Sequence, residues 1–264
     1  MIEPNEITYG SYLQIPELLS LQQPASDPEE HDETLFIIIH QVYELWFKQV
    51  LHELDRLAFH LDADSPHRGM HQLKRVLKIF KTLVAQLDVL ETMTPLEFVS
   101  FRGFLANASG FQSAQFREIE FLLGHKDLEH VDRFDHSPEA QERLRERVAA
   151  PSLWDHFIRF VARSGFDIPE DVLERDVTQP VEPSSGVQDA LIEVYNTSPS
   201  LAEVCEALTD LDEGLQEWRY RHVKMVQRTI GAKIGTGGSL GAAYLQATLF
   251  RPVFPDLWEI RARF

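Results

Sequence analysis

Helix start signals recur along this chain, and they constrain its fold more than any other feature. At three places a residue with a side-chain hydroxyl, which can cap a helix, directly precedes a proline that can take the first helical position. These pairs are Ser65-Pro66, Thr94-Pro95 and Ser198-Pro199. Apolar residues follow each signal at helical spacing, and no alternating strand pattern persists. The sequence therefore predicts an all-α fold, a single helical bundle with long central helices.

The limits of the predicted helices follow from caps, prolines and glycines. Apolar residues of the first long helix cover more than one stripe, which is typical of a central helix. Thr94 and Glu97 have the spacing of a capping box. In chain order, the predicted helices run from Asp32 or Thr34 to about Leu61, from Pro66 to about Leu90, from Pro95 to a break at Asn107–Gly110, from about Gln112 to Gly124, from Ser152 to Ser164, and from Pro199 to the glycine-rich segment that begins at Gly231.

The chain divides into an arm and a helical domain. Residues 1–30 carry Pro16, Pro24 and Pro28 around a short apolar piece, which predicts an N-terminal arm with one short helix. We expect this arm to pack on another subunit. Residues 31–264 form the helical domain, in which residues 178–186 are predicted to be a surface loop.

Composition excludes several classes of protein. The chain has 25 basic and 42 acidic residues, and its formal net charge of −17 repels nucleic acid and anionic membranes. No apolar run approaches the roughly 20 residues that a membrane span requires. The single cysteine, Cys205, excludes an intramolecular disulfide framework and fits a reducing cytosol. We therefore expect a cytoplasmic protein without nucleic-acid or membrane partners.

Two histidines lie in apolar stretches of the predicted long helices. His40 follows Phe36 by one helical turn, and His222 follows Trp218 by one turn. Taken singly, each is more typical of a hydrogen-bonded core histidine. Taken together, two such histidines can face one another across a flat cofactor such as haem, one as axial ligand and one as distal group. Spacing alone leaves both interpretations open.

Arg102 and a glycine-rich segment are further candidates for ligand binding. Arg102 lies one turn after Phe98 on an apolar helix face, where its guanidinium requires an anion. A substrate carboxylate and a structural salt bridge both meet this requirement. Thr236 lies in the glycine-rich segment, which is interpreted either as a loop that closes over a ligand or as a plain helix end.

Eight segments distributed over nearly the whole chain carry a family resemblance. They are Tyr9–Leu13, His31–Glu33, Phe36–Trp46, Phe98–Arg102, Ser109–Ser113, Glu120–Gly124, Trp218–His222 and Gly235–Ser239. In this order they resemble the haem-dependent tryptophan 2,3-dioxygenases. The resemblance implies an all-helical homotetramer with haem b, ferrous in its active form, in a catalytic domain over residues 31–264.

The resemblance also implies roles at the haem. By this resemblance, His222 is the proximal ligand of the haem iron, and Ser109 and Gly110 lie in a loop beside the haem. His40 is the distal histidine, which hydrogen-bonds the indole N–H of the substrate. We interpret His40 as a group that orients the substrate, because an electron-rich indole reacts without prior loss of its N–H proton.

Further positions are implied to bind L-tryptophan. Phe36 and Phe98 match aromatic residues of the substrate pocket, Arg102 matches the residue that binds the carboxylate, and Thr236 matches a hydroxyl that contacts the ammonium and carboxylate groups. Some bacterial members have Tyr at the position of Phe98. The arm residues that the resemblance places in the pocket of a neighbouring subunit are Tyr9, Tyr12 and Leu13.

The activity implied is cleavage of the indole C2–C3 bond of L-tryptophan by O₂. The product is N-formyl-L-kynurenine, in the first step of tryptophan catabolism by the kynurenine pathway. Two alternatives stay open, a haem-dependent indole or aromatic monooxygenase of the same superfamily and a haem-binding sensor or storage protein. The pairing of Arg102 with Thr236 favours an amino-acid substrate, which disfavours the sensor.

Overall fold

Two helices of 32 residues, His31–Asp62 and Pro199–Ile230, form the centre of the protein. The computed structural model describes residues 7–231, 233 and 242–264, and its regular elements in these ranges are helices, without a strand. The predicted all-α fold is confirmed. In chain order the α-helices are α1 (Tyr9–Leu13), α2 (Ile15–Leu18), α3 (His31–Asp62), α4 (Pro66–Leu90), α5 (Pro95–Arg102), α6 (Ala114–Leu122), α7 (Leu128–Asp132), α8 (Pro138–Ala149), α9 (Leu153–Arg163), α10 (Glu170–Leu173), α11 (Ser185–Thr197), α12 (Pro199–Ile230), α13 (Ala242–Ala247) and α14 (Pro255–Glu259).

The long helices begin where the sequence signals place them. Pro66 and Pro199 are the first residues of α4 and α12. At the start of α5, Thr94 accepts a hydrogen bond from the Glu97 N–H, and the Glu97 carboxylate accepts one from the Thr94 N–H at 2.6 Å. A second capping box, with Ser152 as the cap, begins α9. These local hydrogen bonds satisfy backbone donors that a helix start leaves without partners.

The core lies between α3, α4 and α12, with α4 packed against both long helices. Leu54, Leu83 and Leu215, one from each helix, are completely buried in it. Cys205 is also completely buried. Helices α9, α11 and α14 cover the remaining apolar faces of the same core. The resulting scaffold fixes the positions of side chains on α3 and α12.

The segment between α5 and α6 differs from the prediction at both ends. The predicted break at Asn107–Gly110 is present, but α5 already ends at Arg102, and α6 begins at Ala114, two residues after Gln112. The reason is Ser113, whose side chain accepts a hydrogen bond from the Phe116 N–H at 3.2 Å and caps the helix. Two 3₁₀-helices precede this cap, at Gly103–Leu105 and Gly110–Gln112.

The N-terminal arm contains a helix that the sequence analysis did not predict. Helix α2 covers the expected apolar piece, and α1 precedes it with a capping box formed by Thr8 and Ser11. The buried carboxylate of Glu33 ties the end of the arm to α3, since it accepts hydrogen bonds from the N–H groups of Ala25 and Ser26 at 2.8 and 3.0 Å. No residue of α1 or α2 is buried, so the arm lies outside the core.

The segment predicted as a surface loop, residues 178–186, connects helices that share one core. The Val181 N–H donates to the Gly124 carbonyl at 3.2 Å, and this contact holds the loop against the body of the protein. Helix α11 begins at Ser185, inside the predicted loop. None of the described helices combines the length and hydropathy needed to cross a membrane.

Candidate functional site

A cavity lies between α3, α5, α6 and α12, and residues of all four helices line it. The cavity has a volume of about 260 Å³, close to the lower end of the range for ligand-binding pockets. The cavity brings together predicted site residues from widely separated parts of the chain. The predicted residues that line it are Phe36, His40, Phe98, Arg102, Ser109, Gly110 and His222.

Three predicted site residues of the arm do not line this cavity, and a fourth, Thr236, lies outside the described residues. Tyr9, Tyr12 and Leu13 belong to α1, where 78%, 75% and 43% of their surfaces are exposed. None of the three lines the cavity of its own chain. Thr236 lies outside the described residues, and its role stays a prediction.

His222 presents a neutral imidazole to the cavity. Helix α12 places it one turn after Trp218, and the two rings stack with centroids 5.2 Å apart and an angle of 4° between their planes. Burial lowers the pKa of His222 to about 4, and the proximity of His40 acts in the same direction. The ring is therefore uncharged near neutral pH and keeps a lone pair that can coordinate a metal.

His40 is held in one tautomer by its own helix. Its Nδ1 lies 2.7 Å from the carbonyl oxygen of Phe36, and since a carbonyl only accepts hydrogen bonds, Nδ1 carries the proton. Nε2 consequently carries the lone pair. Burial also lowers the pKa of His40, which keeps the ring neutral. The cavity thus contains a hydrogen-bond acceptor whose orientation is fixed before a ligand binds.

An aromatic wall stands beside His40. The ring of Phe36 lies 4.1 Å from the imidazole and 5.8 and 5.5 Å from the rings of Phe98 and Phe101, measured between centroids. Arg102, the last residue of α5, follows Phe98 by one turn and lines the same cavity while half-buried. An aromatic wall next to a guanidinium suits a ligand with a flat apolar part and a carboxylate.

The sequence analysis missed a buried ionic network on the cavity wall. The Glu120 carboxylate is bonded by the guanidinium groups of Arg117 and Arg219, the second at 2.8 Å. Arg219 also donates to Nδ1 of His125 at 3.2 Å, while Nε2 of His125 donates to the Pro252 carbonyl at 2.9 Å. Burial opposes ionisation of Glu120, but the two guanidinium groups outweigh it and hold its pKa below the ordinary value.

This network carries a net positive charge. Burial lowers the pKa of His125 to about 4, so the histidine is neutral and one carboxylate faces two guanidinium groups. Arg117, Glu120 and Arg219 all line the cavity, which gives one part of its wall an affinity for an anionic group. Glu120 and Arg219 lie 99 residues apart, and no spacing rule pairs residues at that separation.

The residues present fit a haem. Neutral His222, flanked on the cavity wall by Trp218 and Val223, is the kind of single axial donor with which proteins hold haem iron. His40, on the facing helix, is placed to act as a distal group. Gly110 lines the same cavity, and a Cβ built on it meets no atom within 4 Å.

The family model and the relatives that match this chain all belong to one family. Residues 2–147 and 184–264 match the family model described as tryptophan 2,3-dioxygenase. A protein of that name from Herpetosiphon aurantiacus is 58% identical over 256 residues, which cover 97% of this chain and 98% of the relative. Tryptophan 2,3-dioxygenases from Anaeromyxobacter sp. (strain K) and Bacillus cereus are 54% and 44% identical, each over 97% of this chain, and the matches cover 95% and 92% of those relatives.

Proposed function

This chain belongs to the tryptophan 2,3-dioxygenase family, and on that premise we propose that its cavity binds haem b and L-tryptophan. The proposed reaction is cleavage of the indole C2–C3 bond by O₂ to give N-formyl-L-kynurenine. The observation that carries the proposal is the convergence of His40, Arg102 and His222 on one cavity. An acceptor for an indole N–H, a partner for a carboxylate and a ligand for iron are what this chemistry requires of the protein.

His222 holds the haem iron in this proposal, and Ser109 and Gly110 lie beside the haem. When bound, ferrous haem supplies the activation of O₂. The stacking of His222 on Trp218 restricts rotation of the imidazole and keeps its lone pair directed into the cavity. The side chains of α3 and α5 then bind and orient the substrate.

L-Tryptophan is held at both of its ends. Arg102 binds the carboxylate through charge-assisted hydrogen bonds, and Thr236 contributes a hydroxyl to the ammonium and carboxylate groups. Phe36 and Phe98 pack against the indole ring. Their own rings are in contact, with centroids 5.8 Å apart, and this contact fixes how the two rings are oriented toward the indole. Two fixed ends leave the substrate few orientations, which lowers the entropic part of the activation barrier.

His40 orients the indole by accepting its N–H at Nε2. The hydrogen bond from Nδ1 to the Phe36 carbonyl sets the tautomer that this role requires. The lowered pKa of His40 keeps the ring neutral, and only a neutral ring can accept a hydrogen bond at Nε2. In this proposal His40 accepts a hydrogen bond from the indole N–H and does not remove its proton.

The assembly belongs to the same proposal. An arm with Ile7, Tyr9, Tyr12 and Leu19 more than half exposed leaves apolar surface for another chain to cover. We propose a cytoplasmic homotetramer in which Tyr9, Tyr12 and Leu13 reach into the cavity of a neighbouring subunit. In this arrangement the arm completes a site that its own chain leaves open.

The test is haem binding and tryptophan turnover by the wild-type protein and by His222→Ala. The wild type is expected to bind stoichiometric haem with a histidine-ligated spectrum and to consume L-tryptophan once reduced. His222→Ala is expected to lose that spectrum, and added imidazole is expected to restore it. The control variant is His67→Ala, which changes an exposed histidine and is expected to keep the wild-type spectrum. A wild-type spectrum in His222→Ala contradicts the haem assignment, and no turnover by the reduced wild-type protein contradicts the proposed function.

A further inference from the structure

Met93 separates the cavity from a groove on the protein surface. Its residue surface is only 6% exposed, and it lines both the cavity and a groove of about 400 Å³ beyond the end of α4. Among the described residues that line the groove, Met93 is the one that also lines the cavity. At this point a single residue therefore lies between the cavity and the outer groove.

Hydrogen bonds and ion pairs hold the backbone around Met93. Its N–H donates to the Leu90 carbonyl at 3.1 Å in the turn after α4, and the capping box of α5 begins at the next residue. Ion pairs join the rim of the groove, from Arg221 to Asp88 at 2.7 Å and from Arg228 to Glu91 at 3.4 Å, and link α12 to the end of α4. Movement at this point is thus left to the Met93 side chain.

A methionine side chain suits a wall that opens briefly. It is unbranched, rotates about three bonds and makes no strong hydrogen bond that must break when it changes rotamer. The groove side carries charged residues, whereas the cavity side beside Met93 is formed by Leu87 and Leu90. Such an opening admits a small uncharged molecule and excludes an amino-acid zwitterion, whose desolvation in an apolar passage is costly.

The proposed reaction requires such a molecule. L-Tryptophan, bound between Arg102 and His40, occupies the same cavity that O₂ must enter. We propose that Met93 is the gate of a separate entrance through which O₂ passes from the outer groove into the cavity. This inference rests on the proposed function, because it assumes a haem and a tryptophan site in the cavity.

The test is the rate at which carbon monoxide binds to the reduced, haem-loaded protein after flash photolysis. CO is an uncharged diatomic molecule like O₂, and it reports entry without turnover. Met93→Trp is expected to slow bimolecular CO association about tenfold, which corresponds to a barrier higher by about 1.4 kcal/mol. Because bound L-tryptophan obstructs other routes through the cavity, the effect is expected to be larger with saturating L-tryptophan. Met93→Ala is expected to accelerate association.

Met70→Ala is the matched control, because Met70 is packed against the core and lines neither the cavity nor the groove. It removes the same side chain and is expected to leave CO association within about twofold of the wild-type rate. Unchanged association in Met93→Trp overturns the gate, and so does an acceleration in Met93→Ala no greater than that in Met70→Ala. Failure of the wild type to bind haem or CO contradicts the proposed function instead, so the two outcomes are distinct.

Discussion

Replacing His40 with Ala tests how the indole is held. The substitution removes the Nε2 acceptor together with the ring that lies 4.1 Å from Phe36. An indole N–H left buried without a partner costs about 1–3 kcal/mol. At about 1.4 kcal/mol per factor of ten, kcat/KM for L-tryptophan is expected to fall about 5- to 150-fold. Residual turnover is expected, because in the proposed mechanism His40 orients the substrate and does not remove its proton.

A thermodynamic cycle that combines His40→Ala with a change in the ligand separates the hydrogen bond from the lost ring contact. Its two ligands are L-tryptophan and the benzothiophene analogue of L-tryptophan, in which sulfur replaces the indole N–H. Dissociation constants of both ligands are measured by spectroscopic titration of the haem-loaded wild type and His40→Ala. A coupling energy of about 1–3 kcal/mol is expected if Nε2 faces the N–H. The haem spectrum of the variant shows whether the cofactor is still bound.

Two results refute this reasoning. Equal weakening of both ligands by His40→Ala means that Nε2 does not contact the indole nitrogen. Complete loss of turnover with haem and L-tryptophan still bound means that His40 takes part in proton transfer, and the orienting role is then wrong.

Three further predictions follow from charge, burial and backbone geometry. Arg102→Leu leaves the substrate carboxylate without its partner, a loss of about 2–5 kcal/mol, so steady-state assays are expected to show a KM at least about 30-fold higher; an unchanged KM places the carboxylate elsewhere. His125 and His222 have pKa values of about 4 in the folded chain and about 6.5 when unfolded, and the unfolded chain therefore takes up protons first on acidification. Urea titrations of the haem-free protein are expected to give a falling free energy of unfolding from about pH 6.5 to 5, and a constant value contradicts the burial of both rings. Gly124 has φ +103°, and a Cβ added there lies 2.7 Å from the Val181 side chain, so Gly124→Ala is expected to destabilise the fold by about 1–3 kcal/mol in thermal unfolding. The control is Gly165→Ala, at φ +97° with no atom near the new Cβ, which is expected to destabilise the fold less. Equal effects of the two variants contradict the clash.

The sequence predicted the helices whose ends depend on local interactions. The first long helix was expected from Asp32 or Thr34 to about Leu61, and α3 spans His31–Asp62. Proline at the first position and a capping box involve residues within one turn, so sequence alone reveals them. The boundary of α6 does not follow from the sequence, because Gln112 and Ser113 lie in a stretch of several hydroxyl and amide side chains, and only the structure shows which one caps the helix.

The site was predictable where its residues lie one turn apart on one helix. Phe36 with His40 is an example, because helical spacing alone places both on one face. The contact of Arg219 with Glu120 depends on how α6 packs against α12, which spacing does not reveal. The position of Met93 between cavity and groove depends in the same way on tertiary packing.

The proposed reaction inserts both atoms of O₂ into L-tryptophan. The most direct measurement is mass spectrometry of the product formed by the reduced, haem-loaded protein from L-tryptophan and ¹⁸O₂. Two labelled oxygen atoms in a ring-opened product are the expected result. A single labelled atom contradicts the dioxygenase assignment and indicates a monooxygenase, and unchanged L-tryptophan contradicts the assigned substrate.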